Sequence, residues 1–159
     1  MFGKLAIVAT VVAGLTIGFL WPTPQRSKAA TADAGTEVVI ERNSDHHYYT
    51  DAEVNGHTVH FMIDTGASAT ALTEADAQAI GINIDSSKYE VIGDGASGMV
   101  RGQYVQLKSI DVNGIRQQDG QAVVVQGSSI SLLGQPFLEK VDEIVISHGE
   151  MRLRGGHSS

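Results

Sequence analysis

The chain has 159 residues, a formal net charge of −7, 18 glycines and no cysteine. The lack of cysteine excludes disulfides, thiol catalysis and thiolate metal sites. The negative charge, without any cluster of Lys or Arg, argues against nonspecific binding to nucleic acid. The length fits one domain with additional segments, and the glycine content favours a turn-rich β protein over a helical one.

The N-terminal part of the sequence divides into an apolar segment and a polar linker. Residues 5–21 carry no charge and are long enough to span a bilayer. We interpret residues 1–21 as a single-pass membrane anchor, with a cleaved export signal and a buried soluble helix as the alternatives. Residues 22–36, rich in Pro, Ala and Thr, predict a flexible linker. A globular domain is then expected at 37–154, with a tail at 155–159.

The membrane topology of such an anchor is not decided by charge. Counted as Lys and Arg, two cations after the apolar segment, Arg26 and Lys28, outnumber Lys4 before it, which weakly favours a cytoplasmic domain. A short charged N-terminus before an apolar run is equally typical of an export signal.

The domain consists of short β-prone runs separated by turn residues. Asn55-Gly56 joins the runs 47–54 and 57–63 and predicts a β-hairpin, and Asn113-Gly114 predicts a second tight turn. Further strands are predicted at 90–92, 99–107, 109–112, 122–126, 130–133, 143–147 and 151–154. We therefore expect a mostly β domain that forms a small closed barrel.

One short α-helix and one shorter helical piece are predicted between these strands. Thr73 can cap a helix over residues 74–80, with Asp76 at the third position of a capping box and Gly81 after its end. Pro136 suits the first position of a helix, so residues 136–140 predict a short helical piece.

Asp64-Thr65-Gly66 follows the apolar run 57–63 directly. A carboxylate at the end of a buried strand is costly unless it is hydrogen-bonded or functional. The threonine can supply a hydroxyl, and the glycine lets backbone amides approach closely. Because Asp before Gly is also common in turns, a structural turn acid is the alternative interpretation. Downstream, Leu132-Leu133-Gly134 ends another apolar run, and the glycine-rich residues 93–98 predict a mobile hairpin tip.

Together these motifs resemble the retropepsin-like aspartic proteases, specifically the single-lobed bacterial type with an N-terminal membrane segment. The resemblance rests on residues 61–68, the hairpin 91–104 and residues 132–138, and it covers about 48–153. It implies a single-lobe acid-protease barrel that hydrolyses peptide bonds with water as the nucleophile. No metal or organic cofactor is implied, and the family relationship implies a domain that faces the periplasm.

The resemblance also implies roles for particular residues. Asp64 would be the catalytic acid, Thr65 would hydrogen-bond across a two-fold axis, and Gly66 would direct its amide at the carboxylate. The residues implied in substrate binding are Ala67, Ser68, Gly93, Asp94, Gly95 and Ala96, of which the last four belong to a flap that closes over the substrate. Because the chain has one Asp-Thr-Gly, a pair of carboxylates requires Asp64 from each of two chains.

Ser68 departs from the pattern of the viral members, which usually carry an acid at this position for substrate contacts and an intersubunit ion pair. A serine can hydrogen-bond but cannot form the ion pair, so dimer affinity is expected to differ. Membrane anchoring could offset this by concentrating the chains in two dimensions.

Three other interpretations compete with the protease. Histidines at 46, 47, 57 and 60 suggest a metal site, but His57 and His60 are three residues apart on a strand and point to opposite faces, so no metal is predicted. A non-catalytic dimeric peptide-binding module of the same fold would keep the groove without turnover. An enzyme that becomes active only after its anchor or linker is cut is the third.

Overall fold

The computed structural model describes residues 35–95 and 98–155. The predicted anchor at 1–21 lies outside these residues, as do most of the predicted linker, Ala96 and most of the tail. Within the described ranges, no helix combines the length and the apolar character needed to cross a membrane.

In the described ranges the chain forms ten strands and two short α-helices. The strands are β1 (Thr36–Glu41), β2 (Tyr49–Val54), β3 (His57–Ile63), β4 (Thr70–Leu72), β5 (Glu90–Gly95), β6 (Gly98–Val112), β7 (Ile115–Val125), β8 (Ser131–Leu133), β9 (Glu143–Ser147) and β10 (Glu150–Gly155). The helices are α1 (Glu74–Ala79) and α2 (Gln135–Leu138), and a 3₁₀ turn spans Ser86–Lys88.

Six strands close into a barrel in the order β2-β3-β8-β4-β7-β6. The ring closes because β6 pairs back with β2, where Val54 lies opposite Ile110. The pairs β3–β8 and β4–β7 are parallel, whereas the remaining neighbours are antiparallel. Among the described residues, β5 pairs only with β6 and extends the sheet beyond the ring. The prediction of a small, closed, mostly β barrel is confirmed.

The barrel core follows from the alternation of apolar residues along the strands. On β3, Val59, Phe61 and Ile63 are buried, while His60 between them is exposed. A period of two places alternate side chains on one face of a strand, so this face of β3 packs into the core. The strand therefore forms part of the barrel wall. Its last residue, Ile63, is still buried, and Asp64 follows directly.

The chain ends of the domain form a separate antiparallel sheet in the order β1-β10-β9. Its inner face adds Val38 and Leu153 to the core. On the outer face Glu37 accepts hydrogen bonds from Arg154, at 2.6 Å, and from Arg152, at 2.8 Å. These two guanidinium groups lower the pKa of Glu37 below its usual value.

Helix α1 begins as its capping residues predict. Thr73 Oγ1 accepts a hydrogen bond from Asp76 N at 3.0 Å, and Gly81 follows the helix with a φ of +80°. The second half of the predicted capping box differs, because the Thr73 N–H donates to Ser131 Oγ of β8 at 3.0 Å instead of to Asp76. Ser131 donates in turn to Asp76 Oδ2, so the cap ties α1 to β8.

Several predicted boundaries are corrected by the structure. The strand predicted at 47–54 begins at Tyr49, and the one predicted at 122–126 begins at Ile115 and pairs with β6 on both sides of Asp119. The polar stretch from Arg116 to Gly120 hides this longer strand from a hydrophobic pattern. The second helix starts at Gln135 and ends at Leu138, instead of covering 136–140.

Two further corrections concern the strands around the predicted site. The glycine-rich tip predicted at 93–98 is narrower, because β5 continues to Gly95 and β6 starts at Gly98. Glycines in this hairpin remain paired with their cross-strand neighbours, since a strand backbone needs no side chain to pair. β1 and the three-residue β4 were not predicted, although the alternation of exposed and buried residues in β1 is a recognisable strand signal.

Candidate active site

The candidate site is the turn that follows β3. Asp64 is half-buried, and its backbone N–H donates to Leu133 O of β8 at 3.1 Å. The Gly66 N–H donates to Asp64 Oδ1 at 2.8 Å, and the Ala67 N–H donates to Asp64 O at 3.2 Å. The turn therefore fixes the direction of the carboxylate with its own backbone, while Thr65 and Gly66 stay exposed.

The end of β8 supports this turn from the opposite side. Gly134 packs so closely that a Cβ at this position would lie 2.3 Å from Ala69 O and 2.8 Å from Ala67 O. Its neighbour Gln135 donates from its backbone N to Ala67 O at 2.9 Å and from its side-chain Nε2 to Thr65 O. The Leu132-Leu133-Gly134 element singled out in the sequence thus lies directly against the Asp64 turn.

The parallel pairing of β3 with β8 explains this juxtaposition. Phe61 lies opposite Ser131 and Ile63 opposite Leu133, so the two strands end side by side at the same edge. Among the described residues, no Lys, Arg or His forms an ion pair with Asp64. The carboxylate is held by a neutral backbone donor at the surface of one chain.

The structure places the predicted substrate-binding residues in two groups. Ser68, directly after the turn, lines a pocket of about 370 Å³ together with Tyr104, Gln121 and Pro136. Gly93 and Asp94 lie on β5 opposite Val100 and Met99, and Gly95 lies opposite Gly98. In the described ranges, no hydrogen bond joins these flap residues to the Asp64 turn. Ala96 lies outside the described residues.

The base of the β5–β6 hairpin is anchored by a buried tyrosine. Arg101 Nη2 donates to Tyr89 O at 2.7 Å, and the Tyr89 hydroxyl donates to Glu74 Oε1 of α1 at 2.7 Å. Burial, followed by the bond to Glu74, raises the pKa of Tyr89 to about 12. Glu74 Oε2 also accepts from Gly127 N at 3.3 Å, so one carboxylate links the hairpin base to the β7–β8 connection.

Sequence reasoning missed Gln135 and Tyr89. Gln135 follows the recognised glycine directly, so its position was part of the motif, but no pattern indicated where its side chain reaches. Tyr89 precedes a predicted strand, and its partner Glu74 is 15 residues away on a helix. Contacts across such separations carry no local sequence signal.

The histidines suggested as metal ligands have other surroundings. His60 Nδ1 lies 2.7 Å from Asp51 Oδ1, and the His60 ring stacks on Tyr49 with a centroid distance of 5.5 Å. Within the described ranges, no three or more His, Asp or Glu side chains lie close enough to hold a metal ion.

The part of the chain that matches known proteins contains both the Asp64 turn and residues 132–134. Residues 50–140 match a family model described as "gag-polyprotein putative aspartyl protease". An uncharacterized protein from the cobV 5′ region of Sinorhizobium sp. is 34% identical over 134 residues, which cover 82% of this chain and 58% of the relative. Uncharacterized protein RP867 of Rickettsia prowazekii (strain Madrid E) is 36% identical over 104 residues, which cover 65% of this chain and 45% of the relative. The chain thus spans about half the length of these curated relatives.

Two solved structures share the fold. A retropepsin-like aspartic protease from Rickettsia conorii superposes with a TM-score of 0.64 at 32% identity, covering 76% of this chain and 91% of that chain. The EIAV protease in complex with the inhibitor HBY-793 has a TM-score of 0.53 at 18% identity, covering 66% of this chain and 97% of that chain, a likeness of fold alone. With the family match across residues 50–140, the chain belongs to the gag-type aspartyl protease family and has a retropepsin-like fold.

Proposed function

We propose that the protein is an aspartic endopeptidase whose active site forms from the Asp64 turns of two chains. The observation that carries the proposal is the Asp64 carboxylate itself, held by the Gly66 amide at 2.8 Å on an exposed turn between the ends of β3 and β8. Membership of an aspartyl protease family supports the same chemistry.

The proposal requires two chains because the sequence contains one Asp-Thr-Gly. Asp64 is half-buried, and Thr65 and Gly66 are exposed in the single chain, so the turn is accessible to a symmetry mate. In a homodimer with two-fold symmetry, the same residue from each chain meets at the axis. Two carboxyls brought this close share a proton, because both cannot stay ionised.

The reaction follows from that shared proton. The ionised carboxylate removes a proton from a water molecule, whose oxygen attacks the carbonyl carbon of the scissile peptide bond. The protonated carboxyl gives its proton to the carbonyl oxygen, which yields a tetrahedral diol. The C–N bond then breaks as the amide nitrogen takes a proton from one carboxyl, and the diol returns a proton to the other.

The β5–β6 hairpin is proposed to act as a flap over an extended peptide. Val91 and Met99 are 52% and 73% exposed on this hairpin, so it offers apolar side chains to a substrate. An extended peptide can pair through its backbone as an added strand, and the pockets beside it then select side chains. The pocket beside Ser68 is a candidate for such a contact.

We further propose that residues 5–21 tether the enzyme to a membrane with its domain in the periplasm. The proposal is supported by the uncharged apolar run and by the family resemblance. A topology reporter fused after Ser159 tests it. Periplasmic reporter activity is expected, and activity confined to the cytoplasm contradicts it.

The activity is tested with the full chain, purified in detergent micelles and incubated with a library of peptides. Wild type is expected to cleave, and a pepstatin-type inhibitor is expected to block cleavage. Asp64→Asn is expected to lose turnover while keeping its far-UV circular dichroism and melting temperature. Asp119→Asn is the matched control, because Asp119 is exposed on β7 with a φ of +51°, which asparagine also tolerates.

Mixing the two proteins tests whether the active site is shared. When wild type and Asp64→Asn exchange subunits in equal amounts, about a quarter of the dimers carry two aspartates at the axis. Cleavage per wild-type chain should then fall to about half. Unchanged cleavage on mixing, or cleavage by Asp64→Asn alone, contradicts the proposal, whereas peptide binding without turnover by wild type identifies a binding module.

A further inference from the structure

The side chain of Gln135 is bonded to the peptide unit that holds the Asp64 carboxylate. Gln135 Nε2 donates to Thr65 O, and the N–H of the same peptide unit, which belongs to Gly66, donates to Asp64 Oδ1 at 2.8 Å. These two bonds form a relay from Gln135 through one peptide plane to the carboxylate. Within the described ranges, no other side chain from outside residues 64–68 hydrogen-bonds to this turn.

The planarity of the peptide group couples the two ends of this relay. The C=O and N–H of a trans peptide unit point in opposite directions in one plane. A donor that fixes the Thr65 carbonyl therefore also fixes the direction of the Gly66 N–H. Hydrogen bonds in a chain also polarise one another, so a donor at the carbonyl strengthens the N–H as a donor.

Gln135 is well placed for this task because its own backbone is held. Its N–H donates to Ala67 O at 2.9 Å, and Gly134 before it fits tightly against Ala67 and Ala69. The side chain consequently leaves from a point that is fixed relative to the turn. A side chain on a loosely held segment would have to be ordered at a cost in entropy before it could orient the peptide unit.

We propose that Gln135 is a positioning residue for the Asp64 carboxylate and acts through the Thr65–Gly66 peptide unit. The inference rests on the proposed protease function for its effect on turnover. Its effect on the geometry of the turn does not depend on that function. Gln135 itself does not touch the reacting atoms.

The proposal predicts different behaviour for two substitutions. Gln135→Ala removes the donor at every pH, so kcat is expected to fall about tenfold with a smaller change in KM, because misplaced catalytic groups mainly reduce the rate of reaction. Gln135→Glu can donate only when its carboxyl is protonated. The ratio of its kcat to that of wild type is therefore expected to rise as the pH falls through the range in which glutamate titrates, while the ratio for Gln135→Ala stays constant.

The experiment uses the full chain in detergent micelles at protein concentrations where specific activity no longer depends on concentration, so that dimer dissociation does not contribute. Gln118→Glu is the matched control, because Gln118 is exposed on β7 and the change adds the same charge. Its kcat ratio is expected to stay near one at all pH values. All variants are compared below their melting temperatures.

A second measurement separates this inference from the proposed function. In ¹⁵N-labelled protein, Gln135→Ala is expected to shift the Gly66 amide resonance and to accelerate its hydrogen exchange, whereas Gln118→Glu leaves both unchanged. If wild type shows no turnover but these shifts occur, the protease proposal fails and the positioning of the turn stands. A Gln135→Ala variant with the kcat and the Gly66 resonance of wild type overturns the inference.

Discussion

Replacing Gly134 with alanine tests whether close contact between β8 and the Asp64 turn holds the site together. The backbone of Gly134 has a φ of −96°, which any residue adopts, so backbone conformation does not require glycine here. The requirement is steric, because a Cβ would lie 2.3 Å from Ala69 O and 2.8 Å from Ala67 O, both backbone atoms. Real Cβ atoms essentially never approach another heavy atom within 3.0 Å, so the turn must move by at least about 0.7 Å.

The cost of that movement can be worked out from the contacts it disturbs. Overpacking typically costs about 1–3 kcal/mol. The displacement also weakens the bonds from Gln135 to Ala67 O and Thr65 O, each with a net contribution of about 1 kcal/mol. Alanine also lowers the conformational entropy of the unfolded chain, which stabilises the folded state by about 0.4–1 kcal/mol. The expected loss of stability is about 2–4 kcal/mol, which corresponds to a melting temperature lower by about 10 °C for a domain of this size.

Thermal unfolding of the full chain, followed by circular dichroism, measures the effect of Gly134→Ala. Gly93→Ala is the matched control, because no atom lies within 4 Å of the Cβ it would add and its φ is not positive. The control is expected to stay within about 0.5 kcal/mol of wild type, as exposed substitutions usually do. Equal melting temperatures for the two variants would refute the steric argument.

Two further predictions concern the side-chain hydrogen bonds of Tyr89 and Ser131. Tyr89→Phe removes the bond to Glu74 and is expected to cost about 1 kcal/mol in urea unfolding at neutral pH. Because folding, mainly through burial of the hydroxyl, raises the pKa of Tyr89 from 10.0 to about 12, wild type should lose stability as the pH rises from about 10 to 12, and the variant should lack that loss. Ser131→Ala leaves the Thr73 N–H and the Asp76 carboxylate without their shared hydroxyl and is expected to cost about 1–3 kcal/mol in the same assay.

These predictions have their own controls. Tyr104→Phe changes an exposed tyrosine and should alter neither stability nor its alkaline dependence by a comparable amount. Ser129→Ala changes an exposed serine near Ser131 and should be close to neutral. A Tyr89→Phe variant with the same alkaline loss as wild type would assign that loss to another group. A Ser131→Ala variant as stable as Ser129→Ala would show that the cap does not depend on this hydroxyl.

Local patterns in the sequence were sufficient for much of the fold. The alternation in residues 57–63 predicted the buried and exposed faces of β3, and Asn55-Gly56 predicted its hairpin with β2. Thr73 and Gly81 placed both ends of α1 within one residue. Such features are predictable because they depend on interactions between neighbours along the chain, where the residue types themselves carry the signal. Asp64 at the end of an apolar strand was recognised for the same reason.

The tertiary structure alone decided what surrounds Asp64. The parallel pairing of β3 with β8 joins segments about 70 residues apart, and no period or turn residue in the sequence specifies which strand becomes the neighbour. The three-residue β4 is too short to show a pattern, yet it pairs with both β7 and β8. The bond from Gln135 to Thr65 O depends on that pairing. The sequence thus identified the acid, whereas the contacts that orient it exist only once distant strands have been brought together.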